Sequence, residues 1–370
     1  MSTVCLHLLW SGEVGGIETL CKEYALHSQN KNLFVFLRSG GEIADEIERL
    51  GFRVIRLYKT KKFFWNAIRQ LLRICDAAGV GTIVEHHSVP LALLCVMLVK
   101  RFRPAIQFVA YAHCNAAIMI RGNDIKRRWI YRKIIQLAFQ KADAVVAISN
   151  SVKESLQKAL ATPEHKIKTI YNGVDVKKYQ QKARERQTCT KMIYVGRLSP
   201  EKGVETILKA LVNISNEVPY RFEIVGDGSE RERLEAFVRE HSLSDRVYFW
   251  GTRSDIPEIL NQADIFVHMP NCEEGFGITI VEAMASGLLC ICAKKGAIPE
   301  LIRDGENGIL VESADPGQLA EVLMCVLQNQ YPMIDSIRKQ AVATAQTFSV
   351  DKFAENLDTV INKLRSSKKL

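Results

Sequence analysis

Short apolar runs recur along the chain, each bounded by glycine-rich or polar turns and separated by stretches of helical periodicity. In the first half these runs are Val4–Trp10, Leu33–Leu37, Arg53–Leu57, Thr82–Glu85, Ile106–Ala112 and Val145–Ser149. In the second half they are Met192–Val195, Arg221–Val225, Val247–Trp250, Ile265–His268 and Leu289–Ala293. Each is too short for a helix and reads as a buried strand; the pattern between, as in Ile17–Ser28, reads as helix. Alternating strand and helix predicts βαβ units and parallel sheets. Two such series predict two doubly wound, Rossmann-like α/β domains facing across a cleft. The junction falls in the polar stretch Val176–Lys191, rich in Lys, Arg and Gln. The expected division is residues 1–175 and 176–345, with 346–370 as a terminal helix packing back toward the first domain.

One longer apolar run, Pro90–Val99, reaches only about half of the ~20 residues that span a bilayer. It reads as a buried helix. Val4–Trp10 has neither a charged flank nor a small-residue cleavage site, so no targeting segment is expected.

In open parallel sheets, ligands bind where strands run into helix N-termini, so candidate chemistry is sought in those loops. The first is Ser11-Gly12-Glu13-Val14-Gly15-Gly16-Ile17-Glu18. Paired glycines at a helix start let a phosphate approach the backbone, and a plain tight turn is the alternative reading. The spacing is not Gly-x-Gly-x-x-Gly, and no Walker A sequence occurs. The second loop, Gly196-Arg197-Leu198-Ser199-Pro200-Glu201-Lys202-Gly203, places two cations before a helical pattern near Val204. Arg197 and Lys202 can converge on an anion such as a diphosphate, or form a solvated basic loop.

The third runs from Glu273 to Gly287 through Glu274-Gly275-Phe276-Gly277-Ile278-Thr279 and Glu282-Ala283-Met284-Ala285. Its glycines predict a loop that turns helical near Ile278, with Glu274 in the loop and Glu282 one turn beyond Ile278. Two carboxylates flanking the first helical amides suit a sugar nucleotide: carboxylates accept from hydroxyls and amides hold phosphate. A capping acid with an exposed helix glutamate is the bland alternative. His86 and His87, at another strand end, read as loop residues.

Charge is uneven. Residues 1–170 carry 25 Lys/Arg and 13 Asp/Glu, a net +12; residues 171–370 carry 25 and 28, a net −3. Cations interleave with aromatics in Lys59–Trp65 and in Lys126–Lys133, a pattern suited to an anionic lipid headgroup surface. A solvated basic face with its aromatics in the core is the alternative. No nucleic-acid module is present and no nucleic-acid partner is expected. The ten cysteines contain no Cys-x-x-Cys, which points to a reducing cytoplasm and away from disulfides or structural zinc.

These residues carry a resemblance. The chain resembles the GT-B-fold retaining glycosyltransferases of family 4 (glycosyl transferases group 1). It does so through Gly15-Gly16-Ile17-Glu18, Ala112-His113-Cys114-Asn115, Ser149-Asn150-Ser151 and Tyr171-Asn172-Gly173-Val174-Asp175. Gly196-Arg197 with Lys202-Gly203, Val225-Gly226-Asp227-Gly228, and Glu274-Gly275-Phe276-Gly277 through Glu282-Ala283-Met284-Ala285 continue it in order.

The resemblance implies a retaining, hexosyltransferase-type enzyme that moves sugar from a nucleotide-sugar donor, UDP preferred. The implied acceptor is a glycan or a polyprenyl- or lipid-linked sugar in bacterial cell-surface polysaccharide or glycolipid assembly. The implied location is the cytoplasm, peripheral at the inner face of the plasma membrane. Arg197 and Lys202 would hold the diphosphate, Glu282 the ribose, and Glu274 the sugar hydroxyls. The backbone at Phe276, Gly277 and Ile278 would approach sugar and phosphate. Gly16 would belong to the loop closing over phosphate, and His113 to the sugar edge. No cofactor beyond the donor is expected. No Asp-x-Asp occurs in the chain, so no metal is expected either. A nucleotide-sugar epimerase of the same fold and a catalytically silent sugar-nucleotide-binding scaffold subunit are the rival readings. After His113 the chain reads Cys-Asn where many relatives carry an acidic or aromatic residue, and after Gly287 it reads Leu-Leu-Cys.

Overall fold

The structure is a computed structural model, and it describes residues 3–13, 15–57, 63–120, 125–180, 189–214, 218–312 and 315–366. The chain divides into two compact units. Unit 1 comprises Met1–Gly173 with Val350–Leu370, and unit 2 comprises Val174–Ser349.

Unit 1 holds β1 (Val4–Ser11), β2 (Asn32–Ser39), β3 (Arg53–Arg56), β4 (Val80–Glu85), β5 (Gln107–Ala112), β6 (Ala144–Ala147) and β7 (Ile167–Thr169). Every pairing is parallel, and the spatial order is β3-β2-β1-β4-β5-β6-β7. Unit 2 holds β8 (Thr190–Val195), β9 (Tyr220–Val225), β10 (Val247–Gly251), β11 (Ile265–His268), β12 (Leu289–Ala293) and β13 (Ile309–Val311). They too are all parallel, in the order β10-β9-β8-β11-β12-β13. Central strands such as β5 and β12 are buried along their whole length, as sheets covered on both faces by helices require. The apolar runs are therefore continuous rather than alternating.

Two strands escape the sequence pattern, β7 and β13. Each has three residues and lies at a sheet edge, too short to give a periodic signal. Pro90–Phe102 is a helix whose Ala92, Leu93, Cys95, Val96 and Val99 are buried; no described helix is long and apolar enough to cross a membrane.

The last helix, Val350–Ser366, belongs to unit 1. Its buried Asp358 ties it down, accepting from Tyr24 Oη (2.5 Å), Ser28 Oγ (2.8 Å), Asn30 Nδ2 (2.8 Å) and the Gln29 amide (2.9 Å). Four donors on one buried carboxylate satisfy it fully, so the chain terminus completes the core laid down by its beginning.

In each unit the strand order reverses direction once, between β1 and β4 in unit 1 and between β8 and β11 in unit 2. Neighbouring loops leave the sheet there in opposite directions and open a crevice at the strand carboxyl ends. The candidate residues collect at these two places.

Candidate functional site

In unit 2 the first side of the crevice is the loop after β8. It passes through Gly196–Ser199 and the short 3-10 turn Pro200–Lys202 into the helix Val204–Val212. Gly203 has φ +64°, and a Cβ there would lie 1.8 Å from the Met269 carbonyl oxygen. Only glycine permits that approach. Asn271 fastens the contact, its amide donating to Glu201 O (2.9 Å) and its Nδ2 to Pro200 O (2.8 Å). The loops after β8 and β11 are thus locked together, and this sets Lys202 against Glu274.

Lys202 Nζ lies 2.8 Å from Glu274 Oε2, and His268 Nε2 donates to the same oxygen at 3.2 Å. Both partners come from the two switch-point strands: His268 closes β11, and Lys202 follows β8. The Glu274 side chain is largely buried. Burial alone would raise its pKa, but the His268 hydrogen bond and the Lys202 charge outweigh it and hold the carboxyl well below its ordinary range. Glu274 is a fixed anion next to a fixed cation. His268 was not among the residues the sequence singled out. Its signal was a polar residue closing an otherwise apolar strand.

Arg197 shares the loop with Lys202. Its side chain is exposed and makes no ion pair among the described residues, while its carbonyl accepts from Tyr194 Oη at 3.1 Å. Gly277, at φ +97°, precedes the helix Ile278–Ala285, and no side chain caps that helix. Its first amides, at Ile278 and Thr279, therefore have no intrahelical acceptor. The Phe276 side chain is buried, its ring 5.7 Å from that of Phe348, so this residue can offer only its backbone. Glu282 lies one turn along the helix; burial raises its pKa, opposed by a bond from Tyr179 Oη to Oε1 at 2.7 Å. Tyr179 is a second partner that the sequence did not reveal.

In unit 1, Gly16 opens the helix Gly16–His27, which also lacks a side-chain cap. A Cβ on Gly16 would meet nothing within 4 Å, so the protein itself does not demand glycine there. Val14 lies outside the described residues. His113 follows β5 and stacks on Tyr111, ring centroids 4.2 Å apart and 7° from parallel.

His86 and His87 are more than loop residues. His86 is buried, with Nδ1 3.3 Å from His113 Nε2 and Nε2 2.9 Å from His7 Nδ1. His7 in turn bonds Asn32 Oδ1 at 3.2 Å through Nε2. His87 bonds the buried Glu18 at 2.9 Å. Burial lowers His7 to about 4 and His113 to about 3, and takes His86 well below its ordinary value. The same burial raises Glu85 to about 8, against three backbone amides that favour its charged form. Among the described residues, no group of three or more His, Cys, Asp or Glu is arranged to hold a metal ion.

Comparison with known proteins accounts for both halves. The family profile "Glycosyltransferase Family 4" matches residues 14–178, and "Glycosyl transferases group 1" matches residues 175–347. N-acetyl-alpha-D-glucosaminyl L-malate synthase of Bacillus anthracis is 24% identical over 299 residues, 79% of this chain and 77% of its own. The crystal structure of HepE of Anabaena in complex with UDP superposes with a TM-score of 0.83 at 21% identity, covering 98% of this chain and all of that one. The lipopolysaccharide outer core galactosyltransferase WaaB, in its apo form, gives 0.76 at 19% identity over 99% of both chains. With two parallel Rossmann-like units and the two profiles running end to end over residues 14–347, the chain belongs to glycosyltransferase family 4 and has the GT-B fold.

Proposed function

We propose that the protein transfers a hexosyl unit from a nucleotide sugar, UDP-linked by preference, to a hydroxyl of a glycan or lipid-linked acceptor, with retention at the anomeric carbon. The process served is bacterial cell-surface polysaccharide or glycolipid assembly. The observation that carries this is the Lys202–Glu274–His268 cluster beside an uncapped helix start and the exposed Arg197. Complexes of Anabaena HepE with UDP and with UDP-glucose support the choice of nucleotide.

The diphosphate lies against Arg197, Lys202 and the first amides of the helix Ile278–Ala285. Lys202 exchanges Glu274 for phosphate, which leaves Glu274 Oε2 to accept from sugar hydroxyls while His268 keeps the carboxylate charged. Glu282 accepts from the ribose, and the backbone of Phe276, Gly277 and Ile278 lines the sugar and phosphate. Gly16 belongs to the loop that closes over phosphate, and His113 to the sugar edge. The anomeric carbon–oxygen bond to phosphate breaks as the acceptor oxygen bonds that carbon. The acceptor proton passes to the departing phosphate oxygen, so no side-chain nucleophile is needed. Charge growing on that phosphate meets cations and amides already in place, and one such donor lowers a barrier by about 3–4 kcal/mol. No metal enters this scheme, in keeping with a chain that lacks Asp-x-Asp.

In this reading the acceptor end works at the inner face of the plasma membrane, which the exposed basic helix of unit 1 supports. Every residue of Lys126–Lys133 is exposed, including Trp129 at 62%. Its aromatics are therefore not core residues, and five cations lie among them. Lys59–Lys62 lie outside the described residues.

A thermal-shift screen against nucleotide sugars tests the donor reading. A bound UDP-sugar at a hundredfold excess over Kd stabilises by about 2.7 kcal/mol, a rise of roughly 5–10 °C in Tm. No shift with any nucleotide sugar would remove the proposal. Donor consumption without acceptor would favour the epimerase.

A further inference from the structure

Three histidines from different strands form one continuous line in unit 1. His7 stands inside β1, His86 follows β4, and His113 follows β5. The line begins at Asn32 Oδ1 and runs through His7 Nε2 and Nδ1, His86 Nε2 and Nδ1, to His113 Nε2. His7 and His86 are buried and His113 partly so, and desolvation lowers the pKa of all three, which favours their neutral forms. A neutral imidazole has one N–H and one lone pair. A row of neutral rings must then donate in a single direction, and whichever group ends the row sets that direction for every ring.

We infer that His7 and His86 are positioning residues that fix His113 in its Nε2–H tautomer, so that His113 Nδ1 presents a lone pair and receives a substrate hydroxyl as donor. The direction is set at the Asn32 end. Asn32 Oδ1 can only accept, so His7 carries its proton on Nε2, and His7 Nδ1 then accepts from His86 Nε2–H. His86 Nδ1 is then a lone pair, and His113 donates to it from Nε2. The Cys21 thiol, 3.4 Å from His86 Nδ1, can donate weakly to that same lone pair but does not by itself fix it. Among the described residues no protein group bonds His113 Nδ1, which is the open end of the row.

His87 supplies an internal standard. The Trp10 amide donates to its Nδ1 at 3.2 Å, and a backbone N–H can only donate. Its Nε2 donates to Glu18 at 2.9 Å. His87 is therefore an Nε2–H ring by a route that shares no bond with the row.

The tautomer assignment rests on this geometry and on the rings being neutral; that the hydroxyl belongs to donor sugar or acceptor rests on the function proposed above. Nitrogen-15 NMR of the full, histidine-labelled chain separates the two. The expected spectrum has His7, His86 and His113 with protonated Nε2 and bare Nδ1, matching His87. A protonated Nδ1 at His113, or an even mixture of tautomers, overturns the inference. In His7→Phe the row loses its anchored end, and the expectation is mixed tautomers at His113 with kcat/KM down about two- to tenfold, the worth of one neutral hydrogen bond. His7→Gln keeps an acceptor and is expected to restore the single tautomer. If His113 keeps one tautomer in a folded His7→Phe, His7 has no positioning role. Adding UDP-glucose, with and without an acceptor glycan, is expected to move only the His113 Nδ1 resonance. A correct tautomer pattern that ignores both would overturn the placement of His113 at the sugar and leave the row intact.

Discussion

The two switch points treat burial in opposite ways. In unit 2 the desolvated Glu274 keeps its charge, because a lysine and a histidine donor face the same oxygen. In unit 1 the desolvated histidines give up theirs, and Glu85 is driven toward its neutral form. The difference is the partners: a histidine N–H and a lysine charge on one oxygen together outweigh desolvation at Glu274, whereas the three backbone amides at Glu85 and the neutral rings around His7 and His86 do not. One crevice thus offers fixed charge, suited to phosphate, and the other offers oriented neutral donors and acceptors, suited to hydroxyls.

The sharpest way to break this comparison is to remove the fixed charges. Lys202→Ala and Glu274→Ala are each expected to reduce transfer about 100- to 1,000-fold, equivalent to about 3–4 kcal/mol in the barrier. Far-UV dichroism should show the fold retained. Steady-state assays of purified variants decide it; wild-type turnover in both would mean that the cluster is merely an ion pair between two loops.

How much of this was legible beforehand depends on the kind of contact. The strands were legible because buried parallel strands are continuous apolar runs, and Lys202, Glu274 and Glu282 because their loops carry glycines at fixed offsets. Gly203 explains why spacing succeeded there: its contact with Met269 O is built into one loop. The histidine row joins residues 79 and 27 positions apart, and only the strand order β1-β4-β5 makes them neighbours. No local pattern encodes that. The available hint was His7, a polar residue in the middle of an apolar strand, as His268 is at the end of another. Both turned out to be bonded to side chains from elsewhere, His7 to one in β2 and one just after β4, His268 to one in the following loop.

Acid sharpens the comparison at an intermediate scale. His7 has a folded pKa of about 4 against an ordinary 6.5, so the unfolded chain binds the proton more readily. Its burial is free of this penalty above pH 6.5, and stability is lost as pH falls from 6.5 toward 4. At pH 5 this amounts to about 2 kcal/mol relative to pH 7. Asn32 and Asp358 oppose the shift, and Arg365 adds to it. Glu85 acts in the reverse sense, because its raised pKa takes stability away as pH climbs from 4.5 toward 8. The wild-type curve therefore mixes the two, and the measurement is the difference between His7→Phe and wild type in denaturant melts at pH 7 and pH 5. The variant should gain about 2 kcal/mol on the wild type across that interval. Glu274, with its lowered pKa, contributes nothing over the same range. A constant difference would mean that His7 is not buried neutral.

The smallest effect per residue concerns the exposed basic helix of unit 1. Lys126, Arg127, Arg128, Arg132 and Lys133 are all exposed beside Trp129, Ile130 and Tyr131. Lys133 Nζ lies 5.8 Å from the centre of the Trp129 ring, which keeps cation and ring on one side of the helix. Near an anionic leaflet each such cation contributes about 1 kcal/mol, and the attraction decays over a Debye length of ~8 Å at physiological salt. Arg128→Glu should therefore weaken binding to phosphatidylserine-containing vesicles by at least about fivefold, and salt should release the wild type. Sedimentation with vesicles of graded charge measures both. Binding that ignored salt and lipid charge would assign the exposed aromatics to some other contact. It would leave the two crevices untouched, because neither depends on this helix face.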